Sequence, residues 1–176
     1  DVNKDGYDDL VIFHRGPNNE IVRHVLKGSA AGIQASDPAL VTWQQKQQDW
    51  SWSSMRVIGG GDFNGDGYGD VVVFTVAQDG YSYSSWIYPG SSTGKLQDPI
   101  SKVELRSDPG GWLYSSSKPA VTDVNKDGYD DLVIFHRGPN NEIVRHVLKG
   151  YSGGIQASDP TMVAWQYPSQ GWKWDS

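Results

Sequence analysis

Three features of the 176-residue sequence predict an all-β array of repeated four-stranded units. An acidic stretch begins at Asp1, again at Asp62 and again at Asp123, a constant step of 61 residues. Each copy runs directly into a short, β-branched apolar segment. Sustained helical periodicity is missing throughout, while 21 Gly and 9 Pro punctuate the chain. A period above about 50 residues, filled with short strands, points to a β-propeller.

The elements of one unit follow in order. A leading strand is expected over residues 56–60 in the second unit and 118–122 in the third. The acidic loop comes next. Behind it lie apolar runs at residues 10–13, 71–74 and 132–135, which read as strands buried on both faces. Turn residues then cluster at 16–19, 78–80 and 138–141. A third strand is expected over 20–26, 81–88 and 142–148. A Gly/Ser loop leads to a fourth strand near 40–43, 100–105 and 162–165, and a short turn is expected around 44–50. Four strands make one propeller blade. The units are then 1–61, lacking its leading strand, 62–122, and 123–176, truncated at its end.

The acidic loop carries the chemistry. Its copies share the pattern D-x-N-x-D-G-Y-x-D. Oxygen-bearing side chains fall at positions 1, 3, 5 and 9: Asp1, Asn3, Asp5 and Asp9; Asp62, Asn64, Asp66 and Asp70; Asp123, Asn125, Asp127 and Asp131. Calcium takes about six to eight oxygens at about 2.3–2.6 Å, so alternate residues of a tight loop suit it. Glycine at position 6 permits the sharp turn. Tyr7, Tyr68 and Tyr129 would add main-chain carbonyls, and Asp9, Asp70 and Asp131 would close the sites. An EF-hand places a bidentate Glu at position 12; here that position is Ile12, Val73 or Ile134, inside a strand. The expectation is one Ca²⁺ per loop and three per chain.

Charge agrees with that reading. The net charge is −6, and positions 1, 5 and 9 of the loops account for nine of the 21 acids, so three Ca²⁺ would bring the formal charge to zero. Lys and Arg are scattered, which argues against a nucleic-acid partner. No apolar stretch approaches the roughly 18 residues of a membrane span. The chain has no Cys, so no disulfide forms. Residues 1–28 and 123–150 are identical, so the genetic unit looks like a duplicated pair of repeats.

The loop, the apolar strand after it and the later Gly28-Ser29-Ala30-Ala31-Gly32 and Gly90-Ser91-Ser92-Thr93-Gly94 resemble the FG-GAP/VCBS repeat. That family builds the calcium-binding propellers of integrin α-subunits and of many secreted proteins. The resemblance covers three repeats end to end. The family's "GAP" is reduced to Arg15-Gly16-Pro17 and Arg137-Gly138-Pro139, with Thr75-Val76-Ala77 in the middle unit, and its "FG" is not recognisable. The resemblance implies the ligand positions given above and an extracellular setting, for a natural or a designed protein.

Three units are too few for a ring of about four to eight blades, so another chain or further blades would complete it. Self-association is the expected partner relation. Trp50, Trp112 and Trp172, with Trp52, Tyr114 and Trp174 two residues on, are candidate platforms for a glycan or inter-blade wedges. His24 matches His146, and His14 matches His136; both pairs read as strand-surface histidines. The sequence has no Cys nucleophile, no G-x-S-x-G and no H-E-x-x-H. The functional expectation is a non-catalytic binding or scaffold module, glycan-binding first and protein-binding second, with a polysaccharide-acting enzyme behind them.

Overall fold

The computed structural model describes residues 1–45, 50–76, 82–106, 117–137, 142–156 and 164–166. The first sheet joins β1 (Leu10–Arg15), β2 (Ile21–Leu26) and β3 (Val41–Gln44). The second runs β4 (Arg56–Gly61), β5 (Asp70–Val76), β6 (Ser82–Tyr88), β7 (Ser101–Arg106). In the third, β8 (Lys118–Thr122), β9 (Asp131–Arg137) and β10 (Ile143–Leu148) are joined at the edge by β13 (Ala164–Gln166). Every neighbouring pair is antiparallel. A small ladder, β11 (Gly150–Tyr151) with β12 (Gly154–Ile155), closes the loop after β10.

The strands run past the apolar segments that mark them. His14 and Arg15 extend β1 because their backbones still pair with Val22 and Ile21. The fourth strand of the first blade starts at Val41, after a 3₁₀ turn over Pro38–Leu40 capped by the Asp37 carboxylate on Ala39 N at 2.8 Å. β4 pairs with β5, and β8 with β9, so each sheet begins ahead of its acidic loop rather than at it. The turns expected at 78–80 and 138–141 lie outside the described residues, as does most of the one around 44–50.

The core is sandwiched between blades. Phe13 and Val25 of the first sheet meet Val71, Val73, Trp86 and Tyr88 of the second, with Trp50 among them. Val72, Phe74 and Ile87 on the opposite face of the second sheet meet Leu132, Ile134 and Leu148 of the third. The alternation of a pleated strand explains this: odd residues of β5 face one neighbour, even residues the other. In the second and third blades the run after the loop is covered as expected, with Val71, Val72, Val73 and Phe74 all buried. The first blade differs. Leu10 and Ile12 are 45% and 40% exposed, whereas the matching Leu132 and Ile134 are fully buried. The reason is positional: the second blade covers that face in the third blade, and no described blade covers it in the first.

Candidate metal loops and an inter-blade cleft

Asp and Asn side chains readily accept from backbone amides a few residues on, and the loops are built this way. In the first loop Asp1 accepts from Asp5 N (3.1 Å) and Gly6 N (2.8 Å). Asn3 Oδ1 accepts from Asp5 N and Asp5 Oδ1 from Tyr7 N, both at 3.0 Å. The second loop repeats this with Asp62 on Asp66 N and Gly67 N, Asn64 on Asp66 N, and Asp66 on Tyr68 N. The third does so with Asp123, Asn125 and Asp127. Asn Nδ2 also donates to the position-5 carboxylate in each loop, at 2.8, 2.9 and 2.8 Å. Those bonds, led by the Asn3 amide, hold the Asp5 carboxyl below its usual range.

The turn demands left-handed backbone. Gly6, Gly67 and Gly128 have φ of +92°, +85° and +90°. Position 4 is also left-handed: Gly65 at +73°, but Lys4 and Lys126 at +61° and +60°. That conformation costs a side-chain-bearing residue about 1–2 kcal/mol, which the surrounding side-chain bonds offset.

The position-9 carboxylates have a different job from the other three. Asp9 accepts from Val2 N (2.8 Å) and Gly28 N (2.9 Å). Asp70 accepts from Phe63 N (3.0 Å) and Gly90 N (3.1 Å), and Asp131 from Val124 N (3.0 Å) and Gly150 N (2.9 Å). Each clamps the start of its loop to the glycine after the next strand. Asp70 is fully buried. Burial pushes its carboxyl up to about 7 against the pull of those two amides, with Asp66 and Asp62 adding repulsion. Burial likewise raises Asp131.

The loops also join blade to blade. Gly69 N donates to Asp1 O, and Asp130 N to Asp62 O, both at 2.9 Å. Ser91 N donates to Val2 O (2.8 Å) and Tyr151 N to Phe63 O (3.1 Å). Lys4 Nζ stands 5.9 Å from the Tyr68 ring, so the tyrosine side chain serves the junction between loops. Local spacing does not reveal the clamp roles of Gly28, Gly90 and Gly150, because their partners lie 19 or 20 residues away.

Whether the loops suit calcium is a question of donors. Side-chain oxygens at positions 1, 3 and 5 turn onto the same few amides in all three loops, and carboxylate and amide oxygens are what a hard cation takes. In kind the set fits. It is not a closed cage as it stands: among the described residues no three His, Asp or Glu side chains gather closely enough to hold an ion.

A second feature lies between the first two blades. A cleft of about 750 Å³ opens between β3 and the segment joining β6 to β7. Trp43, 57% exposed, lies at its edge, paired with Val22 on the sheet face opposite Arg23 and Thr42, and Thr93 and Lys95 also line the cleft. At its base Arg23, only 2% exposed, donates to Gln97 O (2.8 Å) and Asp98 Oδ1 (3.0 Å) and lies over the Tyr88 ring. Arg23 Nε and Thr42 Oγ1 are buried there without a hydrogen-bond partner.

The expected aromatic platforms divide. Trp50 is 1% exposed and packed between Phe13 and Trp86, so it is a wedge between blades with no face open to a sugar. Trp52 packs edge-on against it. Trp112, Tyr114, Trp172 and Trp174 lie outside the described residues. The histidines, read as strand-surface residues, meet in pairs within a blade: His14 Nε2 is 2.8 Å from His24 Nε2, and His136 Nε2 is 3.1 Å from His146 Nε2. The hairpin register brings them together, and comparison of one blade with another did not reveal it.

Antiparallel sheets packed face against face, tied by acidic loops at one end of each, define a propeller-type repeat protein. The model of the FG-GAP-like repeat matches residues 62–134, from the second loop into the strand after the third, and this match supports an FG-GAP/VCBS repeat protein. No curated protein matches the sequence. No helix among the described residues is long and apolar enough to cross a membrane.

Proposed function

We propose that the chain is a calcium-stabilised, non-catalytic propeller module that binds a glycan in the cleft between its first two blades. One observation carries the glycan reading: the cleft holds a buried arginine and an unpartnered threonine hydroxyl, with the exposed Trp43 at its edge. An aromatic face stacks on the apolar side of a pyranose, while hydroxyls and cations take its oxygens. A buried polar atom without a partner calls for water or a ligand. Calcium would be held by Asp1, Asn3, Asp5 and Asp9, by Asp62, Asn64, Asp66 and Asp70, and by Asp123, Asn125, Asp127 and Asp131, with the carbonyls of Tyr7, Tyr68 and Tyr129. It would supply charge neutralisation, and extracellular calcium is concentrated enough to fill even weak sites. A glycan array probed with the calcium-loaded chain tests this. The expected result is a selective signal that Trp43→Ala lowers by about tenfold or more. A blank array, or equal signals from both proteins, would refute it.

A second reading, a self-associating scaffold, has its own support. The first blade leaves Leu10 and Ile12 open, and the third leaves Val133, Phe135 and Val147 around an open apolar pocket. Identical residues in the other odd-numbered blade are the ones that cover the second blade. The two open faces are therefore of the kinds that pack on a neighbouring blade. Light scattering of the full chain separates the readings: a multiple of 19.4 kDa favours the scaffold, a monomer disfavours it.

A further inference from the structure

We propose that His14 and His24 form a two-histidine site for a borderline d-block cation such as Cu²⁺, Ni²⁺ or Zn²⁺. The site is separate from the acidic loops and selects opposite chemistry, since imidazole nitrogen suits these metals and calcium takes oxygen.

Strand pairing creates the geometry. Ile12 faces His24 and His14 faces Val22, so the histidines are diagonal neighbours on one face of the β1–β2 hairpin. Their ring centroids are 4.9 Å apart, and the Nε2 atoms point at each other across 2.8 Å.

The outer nitrogens assign the protons. His14 Nδ1 lies 3.1 Å from Arg15 O, an acceptor, so His14 is protonated at Nδ1 and its Nε2 keeps a lone pair. His24 Nδ1 lies 3.4 Å from Ser36 Oγ, which donates to it, so His24 Nε2 carries the proton shared with His14. One proton therefore stands between two imidazole nitrogens. Metal uptake moves that proton to His24 Nδ1, where Ser36 Oγ turns to accept it, and uses the lone pairs of both Nε2 atoms. Metal–nitrogen bonds of about 2.0–2.1 Å, meeting at square to tetrahedral angles, set two nitrogens about 2.9–3.4 Å apart. The pair needs to open by only a few tenths of an ångström. The Arg15 carbonyl on Nδ1 is the outer-shell partner that fixes ring orientation in histidine metal sites. Two protein ligands leave the remaining positions to water or to an outside donor.

The same geometry recurs at His136 and His146, as it must in an identical segment, with Nε2 atoms 3.1 Å apart and His136 Nδ1 3.1 Å from Arg137 O. There the second blade covers the face and His136 is 1% exposed. His14 stays exposed on the open face of the first blade. The middle blade has Thr75 and Trp86 at these places and forms no pair. The accessible site is thus His14 with His24, one per chain.

The experiment is a Cu²⁺ titration of the full chain in saturating calcium, followed by electron paramagnetic resonance. The expected spectrum shows nitrogen hyperfine structure from two imidazoles at one equivalent. His24→Gln and His14→Gln should each weaken binding by about tenfold or more, while His146→Gln leaves it unchanged. Circular dichroism without copper checks that the variants fold. If they do not, the wild-type spectrum decides alone. An oxygen-only spectrum, or copper displaced by added calcium, would overturn the proposal, as would equal affinity in a folded His24→Gln.

Discussion

Asp9, Asp70 and Asp131 each hold two backbone amides, and the glycine on the far side of each clamp is there for space. A Cβ on Gly28 would stand 2.2 Å from Asp8 O; on Gly150 it would stand 2.3 Å from Asp130 O. Backbone atoms cannot step aside as a flexible side chain can. Gly28→Ala and Gly150→Ala should therefore each destabilise the chain by about 1–3 kcal/mol in urea unfolding. Gly59→Ala, with nothing within 4 Å of its Cβ, should change stability by about 0.5 kcal/mol or less. The His136–His146 pair supplies a pH dependence. Burial, then the neighbouring His136, lowers His146 from 6.5 to about 4, and burial also lowers His136. The unfolded chain takes up these protons first. The stability the pair contributes is full above about pH 6.5 and is lost as pH falls toward 4. A His146→Gln variant should show a flatter melting-temperature profile across that window. An unchanged profile would mean that the pair is not buried. At this scale the sequence disclosed the acids, because their spacing is local. It did not disclose the clamp glycines, the histidine pairs or the burial of Trp50, which all depend on partners brought by strand register and blade packing.

At the scale of the element, identical sequence meets different surroundings. β1 and β9 share the residues Leu-Val-Ile-Phe-His-Arg, but the Leu132 and Ile134 face of β9 is covered by the second blade, whereas the matching Leu10 and Ile12 of β1 are exposed. Ile134→Ala should cost about 2–5 kcal/mol, the usual range for a buried isoleucine. Ile12→Ala should cost about 1 kcal/mol or less in a monomeric chain, since the side chain is already 40% exposed. Equal losses in the monomer would contradict the blade order described here. Strand positions were legible because β-branched runs and turn residues mark them, and every expected strand on described residues is present within a few residues. The open face of β1 was not legible from its own residues. An apolar run predicts that a strand seeks cover on both sides, and whether cover arrives depends on a neighbouring blade.

For the whole molecule, the loops form a chain of their own: Asp1 to Gly69, Asp62 to Asp130, backbone to backbone. They concentrate eleven carboxylates, nine of them at positions 1, 5 and 9, in a protein of net charge −6. Without a counter-ion those charges oppose the hydrogen bonds that bring the blades together. A cation bound only by the folded chain stabilises it by mass action. The most direct test is thermal unfolding of the full chain with millimolar calcium and with a chelator. The melting temperature should be several degrees higher in calcium, with the difference reduced when Asp5, Asp66 and Asp127 are replaced by Ala. Identical melting curves in calcium and chelator would contradict it.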